Sequence, residues 1–240
     1  MPTILITGAA NGLGAAFVEA YQQHANTTII AVDRQQAKYA YQNVRCLEVD
    51  VSQEQSVHDL AANVKDQYID LIIHSAGVRG LVPENEVSKA GDVAACETAD
   101  CMDLRTLLRT FEINAAGTFL LLRALLPNIR PVKGKVVVMS SRMGSIGNNQ
   151  TPNKDAGAAY AYRASKAAQN MLVRSMAADV PEVSFILCHP GRVETKLVKW
   201  KEEGAISAHE SVKGLLPLIE KWGVTNSGRF YDRFGEVIQW

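Results

Sequence analysis

Short β-branched runs alternate along the chain with longer stretches of helical periodicity, and this alternation limits the possible folds more than any other feature. Residues 3–7, 27–32, 45–49, 69–73, 135–139, 183–187 and 228–231 read as strands. Between them, residues 12–25, 53–67, 102–108, 112–126, 159–178 and 209–222 read as helices. Near-continuous apolar strands have no face to give to water. Separated by helices, they predict a parallel sheet covered on both faces. At ~150 residues per domain, a chain of 240 makes one or two domains. No Pro/Gly/Ser-rich linker and no internal repeat divides it, so the reading is one doubly wound domain over residues 1–240, with about seven strands. Residues 81–100 and 147–157 are polar and weakly periodic, which predicts surface excursions.

Composition excludes more than it assigns. The 25 basic and 25 acidic side chains cancel, so no global positive field exists to drive counterion release from nucleic acid or adsorption to an anionic membrane. A hydrophobic fraction of 47% is ample for a core and excludes wholesale disorder. Cys46, Cys96, Cys101 and Cys188 are scattered, with no CxxC pair or histidine array. The expectation is reduced, mostly buried thiols and no metal site. His24, His58, His189 and His209 share no ligand spacing and read as surface or satisfied core residues; Trp200, Trp222 and Trp240 read either as the lining of a substrate pocket or as core packing near the C-terminal helix, and Glu202-Glu203 as a solvated segment. Residues 1–8 have no basic n-region and no long apolar run, so no signal peptide is expected. The apolar window 118–127 is broken by Arg123 and falls short of a span of ~20 residues. A cytoplasmic protein with no nucleic-acid or membrane partner is expected.

The first strand ends in Thr7-Gly8-Ala9-Ala10-Asn11-Gly12-Leu13-Gly14 and opens a helix directly. Gly8 permits the tight turn, Gly12 lets backbone approach a pyrophosphate, and Gly14 lets helix pack on strand; the helix N-terminus adds N–H donors. Together with the alternation, this turn makes the sheet Rossmann-type. Asp33 closes the second strand about 20 residues on, where a carboxylate accepts from ribose hydroxyls and repels a 2′-phosphate. Arg34 beside it is a guanidinium that could pair with that phosphate. NAD is favoured, with NADP the alternative.

Tyr162 and Lys166 lie four apart in a helical stretch and so share a face. A phenol titrates near ~10, but a neighbouring ammonium stabilises its phenolate and fits it for acid/base work. Strand five runs into Ser140-Ser141, strand four into His74-Ser75-Ala76-Gly77, strand three into Asp50-Val51 and strand six into Pro190-Gly191. All of these map to the C-terminal edge of the sheet, where ligands of such folds bind.

As an ordered set, Thr7-Gly8-x-x-x-Gly12-x-Gly14, Asp50-Val51, Ala76-Gly77, Asn114, Ser141, Tyr162-x-x-x-Lys166 and Pro190-Gly191 resemble the short-chain dehydrogenase/reductase family over nearly the whole chain. The segments around Ser141 and Tyr162 and the ending Ser227-Gly228-Arg229-Phe230 look most like its C-factor/sniffer-like carbonyl reductase branch. The resemblance implies that Tyr162 is the acid/base and that Lys166 lowers its pKa and holds the nicotinamide ribose. Ser141 would polarise the substrate oxygen, and Asn114 would anchor a water-mediated proton relay. Asp50 and Val51 would meet adenine, Ser75, Ala76 and Gly77 would line the cofactor, and Pro190, Gly191, Val193 and Thr195 would meet the carboxamide end. The implied activity interconverts a ketone or aldehyde with an alcohol. A nucleotide-sensing or signalling protein without turnover is the other reading.

Three features depart from the family pattern. His74-Ser75 stands where Asn-Asn is usual, twenty-one positions separate Ser141 from Tyr162, and Asp33 is unexpected in a branch associated with NADPH. The long interval implies an inserted rim loop over residues 148–157, and few residues after Thr195 imply a small lid. Helices 102–108 and 112–126 resemble those that pair subunits, so a homodimer or homotetramer is expected.

Overall fold

The structure is a computed structural model that describes residues 1–153, 155–200 and 203–240. Lys154 of the expected rim loop and Glu202 of the acidic pair lie outside the described residues. Seven strands form one sheet: β1 (Thr3–Thr7), β2 (Thr28–Asp33), β3 (Val44–Glu48), β4 (Leu71–His74), β5 (Lys135–Met139), β6 (Ser184–His189) and β7 (Arg229–Asp232). Their order is β3-β2-β1-β4-β5-β6-β7, and every pairing is parallel. The chain runs outward from β1 to β3 and then returns to lay β4 against the other side of β1. That reversal opens a crevice beyond the C-terminal ends of β1 and β4.

Period-two alternation splits the apolar side chains between two cores. Leu5, Ile72, Val136, Val138, Phe185 and Leu187 face one; Ile4, Ile6, Ile73, Val137 and Ile186 face the other. The first face is covered by α2 (Glu54–Asn63), α5 (Gly117–Ile129) and α6 (Tyr160–Asp179), with α4 (Leu104–Phe111) packed on α6, and the second by α1 (Gly12–Tyr21) and α7 (Ala208–Lys221). β3 at the edge is only half-buried, and its sequence, Val-Arg-Cys-Leu-Glu, carries charged residues at Arg45 and Glu48.

Two expectations need correction. The stretches read as separate helices over 102–108 and 112–126 are continuous: a π-helical turn, Glu112–Ala116, joins α4 to α5. Residues 81–100 are more than a surface excursion. They contain α3 (Pro83–Ser88) and a 3₁₀ turn at Ala94–Cys96, and they bury Val82, Cys96 and Glu97. Period analysis misses this segment because its closure is non-local. Val82 N–H donates to Cys96 O at 3.0 Å, and Ala159 N–H to Glu97 O at 2.9 Å. Helices α1 and α2 also end earlier than their periodicity, in turns closed by His24 N–H on Tyr21 O and by Gln67 N–H on Val64 O.

Among the described residues no helix is long and apolar enough to cross a membrane. Cys96 and Cys188 are buried, Cys46 and Cys101 half-buried, and all four are free thiols. Trp222 stacks on Tyr231 and Trp240 on Phe230, so both serve packing.

Candidate active site

Two cavities meet at the crevice. The first, of about 400 Å³, is lined by the β1–α1 turn through Gly8, Asn11, Gly12 and Leu13, and by Asp33 and Arg34 after β2. Asp50 and Val51 line it from β3, Ser75, Ala76 and Gly77 from β4, and Pro190 and Thr195 from β6. Gly14 does not line it. A Cβ there would sit 2.2 Å from Gly8 O, so glycine is needed for α1 to approach β1. Gly8 has φ +67°, and its Cβ would come within 3.0 Å of the Ser75–Ala76 backbone.

The Asp33 carboxylate is fixed at both ends: Oδ2 accepts from Ala10 N–H and Oδ1 from Gln35 N–H, each at 2.9 Å. Burial alone would raise Asp50, yet it sits below the usual carboxylate range. Its Oδ1 accepts from the Ser52 hydroxyl at 2.6 Å and the Ser52 N–H at 2.9 Å, and Arg109 and Arg34 add positive charge. The cleft thus combines a glycine turn, a helix N-terminus and an oriented carboxylate. These residues fit an adenine dinucleotide.

His74, the first departure from the family pattern, sits at the centre of a buried hydrogen-bond chain. Its Nδ1 is 2.9 Å from Thr7 Oγ1 and its Nε2 is 2.8 Å from Thr118 Oγ1. Thr118 Oγ1 donates to Asn114 O (2.7 Å) and accepts from Gln169 Nε2 (2.8 Å), so it has no proton left for His74. Donor counting therefore assigns the proton to His74 Nε2, and Thr7 donates to Nδ1. Thr7 Oγ1 in turn accepts from Ser75 and Ala76 N–H, both at 3.1 Å. The chain ends at Lys166, whose Nζ donates to Gln169 Oε1 and Met139 O, both at 2.9 Å. Burial pulls the Lys166 ammonium down to about 7.

The second cavity, of about 1010 Å³, shares Leu13, Ser140, Tyr162, Pro190, Thr195 and Leu197 with the first. Ser141, Gly191 and Val193 line only this second space, away from the cofactor grouping in which Gly191 and Val193 were expected. Described residues on either side of Lys154, among them Asn148, Pro152, Asn153, Asp155 and Gly157, form part of its rim, where the inserted loop was expected. Tyr162 stands between the two cavities, with Lys166 Nζ 5.8 Å from its ring centroid. Ser141 Oγ accepts from Met143 N–H at 3.2 Å. Asn114 lines neither cavity. It is buried in the π-helical turn, where its Oδ1 accepts from Val78 N–H (2.8 Å) and its Nδ2 donates to Val78 O (2.9 Å) and Ser165 Oγ (3.0 Å).

Sequence reading missed Arg79 and Glu97, which border the second cavity as a buried pair, and Gln169 and Thr118 of the buried chain. No local pattern marks these residues, because each pairs across many positions. His189 also departs from expectation. It borders the second cavity, and its buried Nδ1 has no hydrogen-bond partner among the described residues. No cluster of three or more potential metal ligands occurs among those residues.

A family model described as short chain dehydrogenase matches residues 2–205. The chain belongs to that family. It is 37% identical over 183 residues to the C-signal of Myxococcus xanthus, covering 75% of this chain and 98% of that protein. Over 247 residues it is 30% identical to 1-hydroxy-2-glutathionyl-2-methyl-3-butene dehydrogenase of Rhodococcus sp. strain AD45, with both chains fully covered. Among solved structures, an NADPH-bound carbonyl reductase from chicken fatty liver superposes with a TM-score of 0.83 at 25% identity, over 100% of this chain and 99% of that one.

Two buried histidines make stability depend on pH. Burial, with a smaller contribution from Lys166, holds His74 at about 3; burial, then mainly Arg142, holds His189 at about 4. Below the ordinary value of 6.5, the unfolded chain takes up a proton at each that the folded chain refuses. The histidines' contribution to stability is therefore complete above pH 6.5 and falls as pH drops, by up to about 1.4 kcal/mol per pH unit per histidine. Urea midpoints measured from pH 7 to 4 should show this slope, and His74→Asn should flatten it. An unchanged slope in that variant would exclude His74 as a source.

Proposed function

We propose that the protein is an NAD(P)-dependent oxidoreductase that interconverts a small ketone or aldehyde with its alcohol. The observation that carries this reading is the position of Tyr162, a phenol lining both the dinucleotide cleft and the adjoining cavity. The nicotinamide, when bound, supplies or accepts the hydride. Gly8, Gly12 and the α1 N-terminus hold the diphosphate, and Asp33 accepts from the adenosine ribose. Lys166 holds the second ribose and, as ammonium, favours the Tyr162 phenolate. Ser141 orients the substrate oxygen, and Tyr162 gives a proton to that oxygen in reduction and takes it back in oxidation. Asn114 supports the site by holding the Val78 backbone against the π-helical turn and completing the proton path. The chicken carbonyl reductase and the Rhodococcus dehydrogenase support this class of reaction.

The likeness to C-signal favours a second reading, an NAD(H)-binding signalling protein without physiological turnover. Replacing Tyr162 by Phe separates the two. The enzyme reading expects kcat to fall by about 100-fold or more, while NADH affinity measured by fluorescence stays within about twofold. Near-normal turnover in that variant excludes the mechanism. Wild-type NADH binding with no oxidation across a carbonyl and alcohol panel favours the signalling reading.

Asp33 supports NADH over NADPH, because a 2′-phosphate would meet a carboxylate already fixed by two N–H donors. Parallel titrations should show NADH binding more tightly than NADPH, and Asp33→Ala should narrow or reverse the gap by about tenfold or more. Tighter NADPH binding by the wild type would assign the phosphate to Arg34 instead.

We also propose a homodimer through the α4–α5 face. Leu104, Leu108 and Phe111 are 69%, 54% and 44% exposed and recur at helical spacing. Sedimentation should give twice the 26.2 kDa chain mass, and Leu108→Glu should release monomer. A wild-type monomer would count against this face.

A further inference from the structure

Arg79 leaves the end of β4 and forms a fork with Glu97. Its Nε donates to Glu97 Oε2 and its Nη2 to Glu97 Oε1, both at 2.8 Å, and its Nη1 reaches Met143 Sδ at 3.1 Å. The two side chains are only 15% and 7% exposed, so water screens them little. The Arg79 guanidinium carbon lies 4.9 Å from the centroid of the Tyr162 ring, closer than Lys166 Nζ at 5.8 Å. A cation over that ring gains more when the ring carries a phenolate than when it carries a phenol.

Glu97 also reaches Tyr162 through the backbone. Its carbonyl accepts from Ala159 N–H at 2.9 Å, one residue before α6 begins. Ala158 and Ala159 hold φ of +46° and +49°, a region that residues with a Cβ seldom occupy unless the surroundings impose it. Arg163 helps impose it, with Nε donating to Gly157 O at 2.8 Å and Ala158 O at 3.2 Å. The start of the helix that carries Tyr162 is therefore fixed both by Glu97 from outside the helix and by Arg163 from its own first turn.

We propose that the Arg79–Glu97 pair is a positioning device for Tyr162: it fixes the ring at the head of α6, with Arg79 favouring the phenolate and Glu97 opposing it. This rests on Tyr162 being the acid/base. Other charged or titratable groups bordering the second cavity are Asp155 before α6, Arg163 on α6, His189 on β6, Arg192 beyond it, and Arg142 after β5, which is bound to Asp232 at 2.8 Å; Lys166 lines only the first cavity. None of these makes a fork with Glu97, so the two halves of the pair can be changed separately.

The test reads the phenol directly by ultraviolet difference titration of the purified full-length protein without substrate. Subtracting the matching Tyr162→Phe spectra isolates Tyr162 from the other tyrosines. Arg79→Met leaves Glu97 unopposed and should move the Tyr162 midpoint up by about one pH unit or more. Glu97→Gln leaves Arg79 unopposed and should move it down. The low-pH limb of kcat/KM should move in the same two directions, while KM for NADH stays within about twofold. A merely structural role predicts no shift, or shifts of the same sign in both variants, and either result overturns the proposal. Should Arg79→Met fail to fold, Arg79→Met/Glu97→Met removes both charges together, and Glu97→Gln alone still decides the sign. The titration needs no turnover, so an inactive wild type would count against the enzyme reading and leave this result standing.

Discussion

A lysine buried at the wall of a cleft must find acceptors for its ammonium protons, and the site is arranged around that demand. Lys166 Nζ donates to Met139 O at the end of β5 and to Gln169 one turn along its own helix, and the side chain lines the first cavity. Gln169 passes the constraint to Thr118 on α5, Thr118 to His74 at the end of β4, and His74 to Thr7 at the end of β1. Three strand ends and two helices are thereby fixed to one another by groups that cannot be left unpaired cheaply. The glycine turn and the Tyr162 helix are the two ends of this single connected structure. An interior charge normally detracts from stability, but here it determines how the elements meet.

The sheet was legible in the sequence because its strands are continuously apolar and its helices periodic, and those signals are local. The β1–α1 turn and the Tyr162–Lys166 face were legible for the same reason, since each depends on spacing within a few residues, and Asp33 was legible from its place at the end of the second strand, about 20 residues beyond the turn. Other features were not. The π-helical turn is invisible to a 3.6-residue period because it is the place where that period breaks. His74 could be read only as a departure from the family, and its partners lie 67 and 44 positions away. Arg79 and Glu97 stand 18 apart across a segment whose polar composition reads as surface. In that segment an ion pair and main-chain bonds supply order that apolar burial supplies elsewhere.

Overall neutrality also takes on a spatial meaning. The second cavity is bordered by Arg79, Arg142, Arg163 and Arg192, against Glu97 and Asp155. Two of these cations are engaged by carboxylates, Arg79 by Glu97 and Arg142 by Asp232, while Arg163 donates to main-chain carbonyls. Here the charges brace loops and helix ends against one another. The first cavity is lined differently, by a glycine turn that opens a helix.

The turn at Glu112–Ala116 acts on rotation as well as on length. Successive α-helical residues advance by about 100°, so one additional residue in a turn displaces the phase of everything beyond it. Before the turn, α4 presents Leu104, Leu108 and Phe111 to solvent; after it, α5 buries Leu121, Leu122 and Leu125 against the sheet. The same helix can therefore show an apolar edge outward and another inward without an apolar surface all round. Removing a single residue from this turn would rotate one edge against the other, leaving the composition of each unchanged while uncoupling the outward face from the Asn114 side.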